Sequence, residues 1–326
     1  MAYMSNLTRH AVAAVLAGCA VVLLLFVPSR NASAGRSAEA DAQQPTDKYW
    51  LAAKEQVYRT VPEILAQHRL ELSQGLRFHK LMHGDRSIKQ VALTFDDGPH
   101  PAYTPKILAI LNRFNVKATF FLVGEMAEKY PDLVRAEVAA GHSIANHTYH
   151  HVNLLRIPPG AVATEIQACG DVLQAIAGRS IRLFRPPGGD YNRQVAEVAE
   201  ALGYTTVLWT DDPGDYANPG KRTIEQRVLR AIGNGGIILV HDGIQQTVDV
   251  LPTIIRYLKR NGYQFVTVDE MLKRRPREEV ARAAAGSFSL RRLLRQGPPA
   301  NGPRMPVDAT RRSLGTHRPF GWRKLS

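Results

Sequence analysis

The sequence over residues 88–273 predicts an α/β fold with barrel-like closure, and three observations carry that expectation. Short apolar runs ending in polar or Gly-rich turns alternate with helical stretches, a pattern that builds a parallel sheet with right-handed crossovers. Seven such units fall within fewer than 190 residues, which suits closure better than a doubly wound sheet with a nucleotide crevice. A Gly-rich phosphate loop is also missing. Gly233-Asn234-Gly235-Gly236 precedes an apolar run instead of following one, the wrong order for such a loop.

Strands are expected at 91–95, 118–123, 143–145, 183–185, 205–209, 237–240 and 264–268. Helices are expected between them at 103–114, 126–140, 161–177, 193–202, 223–232 and 248–261. Parallel α/β folds gather their chemistry at the carboxyl ends of strands. Asp96, Asp97, Arg185, Asp212 and His241 all stand at or just beyond such ends, so the topology sends them to one rim.

Before this region, Arg9 and His10 precede an apolar stretch over residues 11–28, and Ala32-Ser33-Ala34 follows as a small-residue cleavage signal. Residues 1–34 therefore read as a signal peptide or an uncleaved signal anchor. The Leu16-Ala17-Gly18-Cys19 box of a lipoprotein ranks third, because the chain stays apolar after the cysteine. Residues 35–87 read as a linker and helical leader. Within it Trp50, Val57, Val61, Ile64, Leu65 and Leu72 recur at helical spacing, and Pro62 kinks the helix or starts a second one. The leader packs on the main domain as an extra element or forms a stalk.

The formal charge of +13 belongs mostly to one end of the chain. Residues 273–326 hold 14 of the 42 Lys and Arg but only 3 of the 29 Asp and Glu. Rich in Arg, Pro and Gly, residues 274–326 are expected to be a disordered basic tail that attracts anionic envelope polymers or lipid headgroups. Nucleic acid is not the expected partner, since no basic stripe with interleaved aromatics lies on a folded region. The two cysteines, Cys19 and Cys169, make no disulfide framework.

The chemistry concentrates in five places. Thr94-Phe95-Asp96-Asp97-Gly98-Pro99 sets two carboxylates at a strand end, where the regular alternation of side chains breaks and both can reach one cleft. His147-Thr148-Tyr149-His150-His151 places two imidazoles four residues apart, on one face of a helical turn. Asp97, His147 and His151 make a three-ligand site with a position open to water. His150 has the wrong offset to join them. Asp96 is then the candidate base, able to act on water whose pKa the metal lowers, with a second ligand or a turn-capping acid as the alternatives. Arg185-Pro186-Pro187-Gly188-Gly189 is a rigid turn in which Arg185 holds Asp96 charged and the amide of Gly188 or Gly189 faces a developing oxyanion. His241 can protonate a leaving amine, with Asp215 orienting it and raising its pKa. Trp209, Tyr216 and Leu239 can wall a pocket for an acyl methyl and a sugar face, though Trp209 and Leu239 suit core packing equally well.

Taken in order, with Asp212-Pro213-Gly214-Asp215-Tyr216 and Leu239-Val240-His241 completing the set, these motifs resemble the polysaccharide deacetylase family. This is the NodB-homology domain of carbohydrate esterase family 4, and the likeness covers residues 88–273. The resemblance implies a distorted (β/α) barrel and a metal-dependent amidase that removes N-acetyl groups from amino-sugar polymers. It implies Asp96 as base, Asp97, His147 and His151 as metal ligands, His241 as acid, and supporting roles for Arg185 and Asp215. One divalent ion is implied, zinc before cobalt or nickel, in an extracytoplasmic protein. Two positions depart from the family pattern: Tyr216 stands where tryptophan is usual, and Gly188 where tyrosine is usual. Both fall on the substrate cleft. An O-acetyl esterase acting on xylan-like polymer and a non-catalytic glycan-binding envelope protein are the competing expectations.

Overall fold

The computed structural model describes residues 58–274, all within one unit. The expected signal segment, the linker with the first part of the leader, and the basic tail from residue 275 lie outside the described residues. Among the described residues no helix is long and apolar enough to cross a membrane.

The chain opens with α1 (Val61–Ser73) and the two-residue strand β1 (Lys80–Leu81). The alternating region then runs β2 (Gln90–Gly98), α2 (Thr104–Arg113), β3 (Thr119–Leu122), α3 (Gly124–Lys129), α4 (Pro131–Ala139) and β4 (Ser143–Asn146). It continues through α5 (Pro159–Ala177), β5 (Leu183–Phe184), α6 (Arg193–Ala201), β6 (Thr205–Val207), α7 (Lys221–Ala231) and β7 (Gly236–His241). It closes with α8 (Gln245–Arg260), β8 (Gln264–Phe265) and α9 (Val268–Lys273). The helix expected over 126–140 is two helices, because Pro131 cannot continue the first and starts the second. The last strand is shorter than expected. Thr267 accepts a hydrogen bond from the Glu270 N–H and caps α9 there.

Every strand pairing is parallel, in the order β1-β6-β5-β4-β3-β2-β7, with β8 against the start of β2. β2 and β7 run side by side from Val91↔Gly236 to Asp96↔His241, which delivers the acid pair and the histidine to the same end. The chain just after β6 also meets β7. Asp211 bridges Ile238 in parallel, and the Leu239 N–H donates to the Asp211 carbonyl at 2.8 Å.

Side-chain alternation splits the core in two. Ala92, Phe121, Ile237 and Leu239 belong to one apolar cluster; Val91, Leu93, Phe95, Phe120, Ile238 and Val240 belong to the other, beneath α2 and α8. Both faces of the sheet are therefore covered, which is why the strands read as near-continuous apolar runs. The described part of the leader joins this architecture. Pro62 stands in the first turn of α1, Ile64 is 1% exposed within the first cluster, and β1 pairs with β6 at Lys80↔Thr206. Burying an aliphatic side chain of this size contributes about 1.5–3 kcal/mol.

Candidate functional site

The site is built at the ends of β2, β4, β5 and β7. Along β2, Thr94 and Asp96 share parity with Ala92 and face the first cluster, whereas Phe95 faces the second. Asp97 would follow Phe95 away from the cleft, but its φ of 71° turns the backbone and returns its carboxylate to the same space as Asp96. Adjacent acids thus meet one cleft because the strand ends in a left-handed residue.

His147 and His151 come together by a different route from the one expected. No helical turn links them: β4 ends at Asn146, and the following loop places Thr148 at φ 68° and His151 at φ 56°. Asn146 Oδ1 accepts the Thr148 N–H at 2.9 Å and fixes that bend. The two imidazoles stand 5.0 Å apart between ring centroids. Asp97 Oδ1 lies 2.9 Å from His151 Nε2 and 3.4 Å from His147 Nε2. His147 Nδ1 sits 2.7 Å from the Arg185 carbonyl, so Nδ1 carries the proton and Nε2 turns its lone pair to the cleft. His150 points away and pairs with Glu165 at 2.7 Å.

Arg185 stands beneath the acids, fully buried. Its guanidinium donates to Asp96 Oδ1 at 2.6 Å, to Thr94 Oγ1 at 2.9 Å and to the Val207 carbonyl at 3.2 Å, and it lies 3.9 Å from the Phe121 ring centroid. Asp96 Oδ1 is thereby fixed, with its second oxygen aimed into the cleft, 3.7 Å from His147 Nε2. Thr94 lies within the first motif, yet its spacing alone assigns it no role. Its hydroxyl donates to the Ile238 carbonyl at 2.7 Å and accepts from Arg185, tying the arginine to the β2–β7 pair.

His241 ends β7. Its Nδ1 meets Asp215 Oδ1 at 2.7 Å, its own N–H donates to Asp215 Oδ2 at 2.8 Å, and Thr247 donates to the same oxygen at 2.5 Å. Burial works against a charged His241, but the attraction of Asp215, followed by Asp97 and Asp96, overcomes it and pushes the imidazole up to about 9. A group so placed holds a proton it can give. Burial likewise opposes the Asp97 charge, yet His151, His147 and His241 draw its carboxyl well below the ordinary range.

The turn after β5 separates the two glycine amides. The Gly189 N–H is spent on the Pro186 carbonyl at 2.9 Å, which leaves Gly188 as the amide to consider for an oxyanion. A side chain at Gly189 would meet Trp209 at 2.5 Å, so the turn packs directly on that ring. Trp209 is 1% exposed, between this turn and Arg185, and serves as a floor beneath the turn. Leu239 is fully buried in the first cluster. Tyr216 packs only partly against it, with its ring 5.4 Å from His241.

One residue at the site was not visible in any motif. Tyr58, in the leader, places its ring 4.3 Å from Tyr216 and 4.7 Å from His241, and its hydroxyl 3.4 Å from Asp97 Oδ2. Nothing in the local sequence marks it, because its position depends on where α1 docks.

Asp97, His147 and His151 offer ligand atoms within 4.8 Å of one another. Asp96 Oδ2, Asp97 Oδ1, His147 Nε2 and His241 Nε2 are buried without a hydrogen bond. Leaving such atoms unsatisfied is costly, and a cation held by Asp97, His147 and His151 would satisfy Asp97 Oδ1 and His147 Nε2. Two imidazoles and a carboxylate suit a divalent ion of the zinc type.

A three-donor cluster beside a carboxylate–arginine pair and a histidine–carboxylate pair is the equipment of a hydrolase on an α/β scaffold. The chain belongs to the polysaccharide deacetylase family, whose sequence pattern matches residues 83–207. It is 40% identical over 190 residues to a peptidoglycan-N-acetylglucosamine deacetylase of Bacillus cereus, covering 57% of this chain and 89% of that relative. A chitooligosaccharide deacetylase of a Bradyrhizobium species is 36% identical over 198 residues, covering 56% of this chain and 90% of the relative. Among solved structures, a peptidoglycan N-acetylglucosamine deacetylase superposes with a TM-score of 0.59 at 36% identity, over 62% of this chain and 94% of that one. A CE4 family pseudoenzyme from Bacillus anthracis superposes with a TM-score of 0.58 at 31% identity, over 61% and 70%. A likeness that reaches both an enzyme and a pseudoenzyme leaves the decision about chemistry to this chain's own side chains.

Proposed function

We propose that this protein is a metal-dependent N-deacetylase of an N-acetylated amino-sugar polymer, with peptidoglycan the first candidate and chitin-like or poly-N-acetylglucosamine polymers next. The observation that carries the reading is Asp97 Oδ1 lying between His147 and His151 while Asp96, fixed by Arg185, turns its other oxygen into the same cleft. A divalent ion held by Asp97, His147 and His151, zinc before cobalt or nickel, would polarise the acetyl carbonyl and acidify the attacking water. Asp96 takes the proton from that water. Arg185 holds Asp96 in position through its other oxygen. The Gly188 N–H donates to the oxyanion of the tetrahedral intermediate. His241, held by Asp215, protonates the departing nitrogen, which an amide requires because an amine anion is a poor leaving group. Tyr216 and Leu239 bound the space for the sugar and the acetyl methyl.

Residues 88–273 are the catalytic domain in this reading, and its sheet is a distorted barrel, a view supported by the Asp211–Ile238 bridge between the chain after β6 and β7. We place the protein outside the cytoplasm, at the cell envelope, with residues 1–34 as signal or anchor and residues 274–326 as a basic tail able to meet anionic envelope polymer. Peptidoglycan deacetylases among the relatives support that location.

An O-acetyl esterase would use the same residues but would depend less on His241, since an alkoxide leaves more readily than an amine. The pseudoenzyme among the solved neighbours motivates the non-catalytic reading, against which the complete set of metal-ligand, base and acid candidates stands. Acetate release from peptidoglycan, chitooligosaccharide, poly-N-acetylglucosamine and acetylxylan, with and without chelator, tests all three. Chelator-sensitive release from an N-acetylated polymer is expected. Release from acetylxylan alone selects the esterase, and none from any polymer selects the binding protein.

A further inference from the structure

The turn after β5 and the partly buried Tyr216 leave the cleft short of aromatic surface, since Gly188 brings no side chain and Tyr216 offers one ring. A sugar ring presents an apolar face that an aromatic side chain covers well, so a lost ring should weaken the hold on substrate. The leader occupies this gap. The Arg59 N–H donates to the Gly188 carbonyl at 2.9 Å, which sets the backbone of residues 58 and 59 against the very turn that lacks the ring. Tyr58 then projects to Tyr216 and His241, with centroid distances of 4.3 and 4.7 Å, and is 5% exposed.

We propose that Tyr58 is a substrate-binding, specificity-determining residue, an aromatic wall for the N-acetylated sugar supplied from outside the family's motifs. The inference rests on the deacetylase reading. It distinguishes a wall from a plug by the way the leader is fastened. Arg59 pairs with Asp190 at 3.3 Å. Gln67 Nε2 donates to the Tyr191 carbonyl at 3.0 Å. Lys80 donates to the Tyr191 hydroxyl at 2.7 Å and pairs with Glu71 in a buried contact. A strap that had to leave before each turnover would break this buried ion pair and expose Ile64, both costly. A fixed wall needs neither.

The test uses the full chain loaded with metal and an N-acetylglucosamine tetramer as probe. KM and kcat are read from acetate release, and tetramer affinity is read by calorimetry on the Asp96→Asn background. Tyr58→Ala is expected to raise KM and Kd about tenfold, the scale of one aromatic contact. Tyr58→Phe, which keeps the ring, should stay within about threefold. Tyr58→Leu keeps apolar bulk without a ring and should match the alanine variant, so the inference stays testable if alanine impairs folding. Metal content should remain that of the unsubstituted protein. Unchanged KM and Kd in Tyr58→Ala and Tyr58→Leu would overturn the proposal. Faster turnover would make Tyr58 a plug, and loss of metal would make it a support for Asp97; either result overturns the wall. A wild-type protein that binds tetramer through Tyr58 but releases no acetate from it, from peptidoglycan or from poly-N-acetylglucosamine would instead overturn the deacetylase reading and leave this one standing.

Discussion

The two sides of the cleft are built differently. On the metal side, Asp96, Asp97, His147 and Arg185 are buried, and each is fixed by a strand end, a backbone carbonyl or a buried partner. On the side proposed for the sugar, a glycine turn, a partly buried Tyr216 and a tyrosine 39 residues before Asp97 lie together. The metal side tolerates little because its geometry follows from sheet register and buried charge. The sugar side can be reassembled from other parts of the chain, since a wall requires only apolar area in the right place. Chemistry is therefore the rigid property of this protein and substrate preference the adjustable one.

That contrast can be broken most sharply on the metal side. Removing the ion with a chelator, or a ligand by His147→Ala, should take acetate release to background and metal stoichiometry in the variant to near zero. A variant that still binds metal stoichiometrically removes His147 from the ligand set. Asp96→Asn should lower kcat by about 10²- to 10⁴-fold while the metal stays bound. Full turnover in this variant would end its role as base. Arg185→Met leaves Asp96 buried without its partner, and breaking such a pair costs about 3–5 kcal/mol. A denaturant midpoint equal to that of the unsubstituted protein would contradict this.

Asp215→Asn should act more gently, through pH. Against its burial, the carboxylates around His241 push it up to about 9 from an ordinary 6.5. A folded value above the unfolded one means the pairing stabilises fully below pH 6.5 and that this stability is lost as pH rises through about 9. Asp215→Asn should lower the His241 midpoint, read by NMR of the imidazole, and flatten the stability decline across that window. Metal loading should lower the midpoint in the unsubstituted protein, because a cation repels an imidazolium. An unmoved midpoint in Asp215→Asn would remove Asp215 from this role. The smallest effect belongs to the sugar side: Tyr216→Trp, which restores the usual ring, should change KM for an oligosaccharide by about twofold to threefold. A collapse of kcat there would mean that the two sides are not separable.

Several features were readable from the sequence because they are local. Apolar runs ending at Asp96, Arg185 and His241 announced parallel strands with polar ends, and parallel topology gathers such ends at one rim whatever lies between. The four-residue offset of His147 and His151 marked them as partners, although a loop with two left-handed residues, not a helical turn, brings them together. Spacing survives that difference because it limits how far apart two side chains can stand, not the route between them. The expectation of one helix over 126–140 missed the break at Pro131, although proline ends a helix by its own covalent structure.

Tertiary structure alone decided the rest. Which glycine amide remains for an oxyanion depends on the Gly189–Pro186 turn bond. The role of Trp209 as a floor depends on its contact with Gly189 and Arg185. The arrival of Tyr58 at Tyr216 and His241 depends on a buried ion pair and a helix docked far along the chain. Residue order fixes dihedral preferences, periodicity and donor types, all properties of short segments. Contacts between segments remote in sequence are chosen by the packing of the whole core, and no short stretch of residues contains that choice.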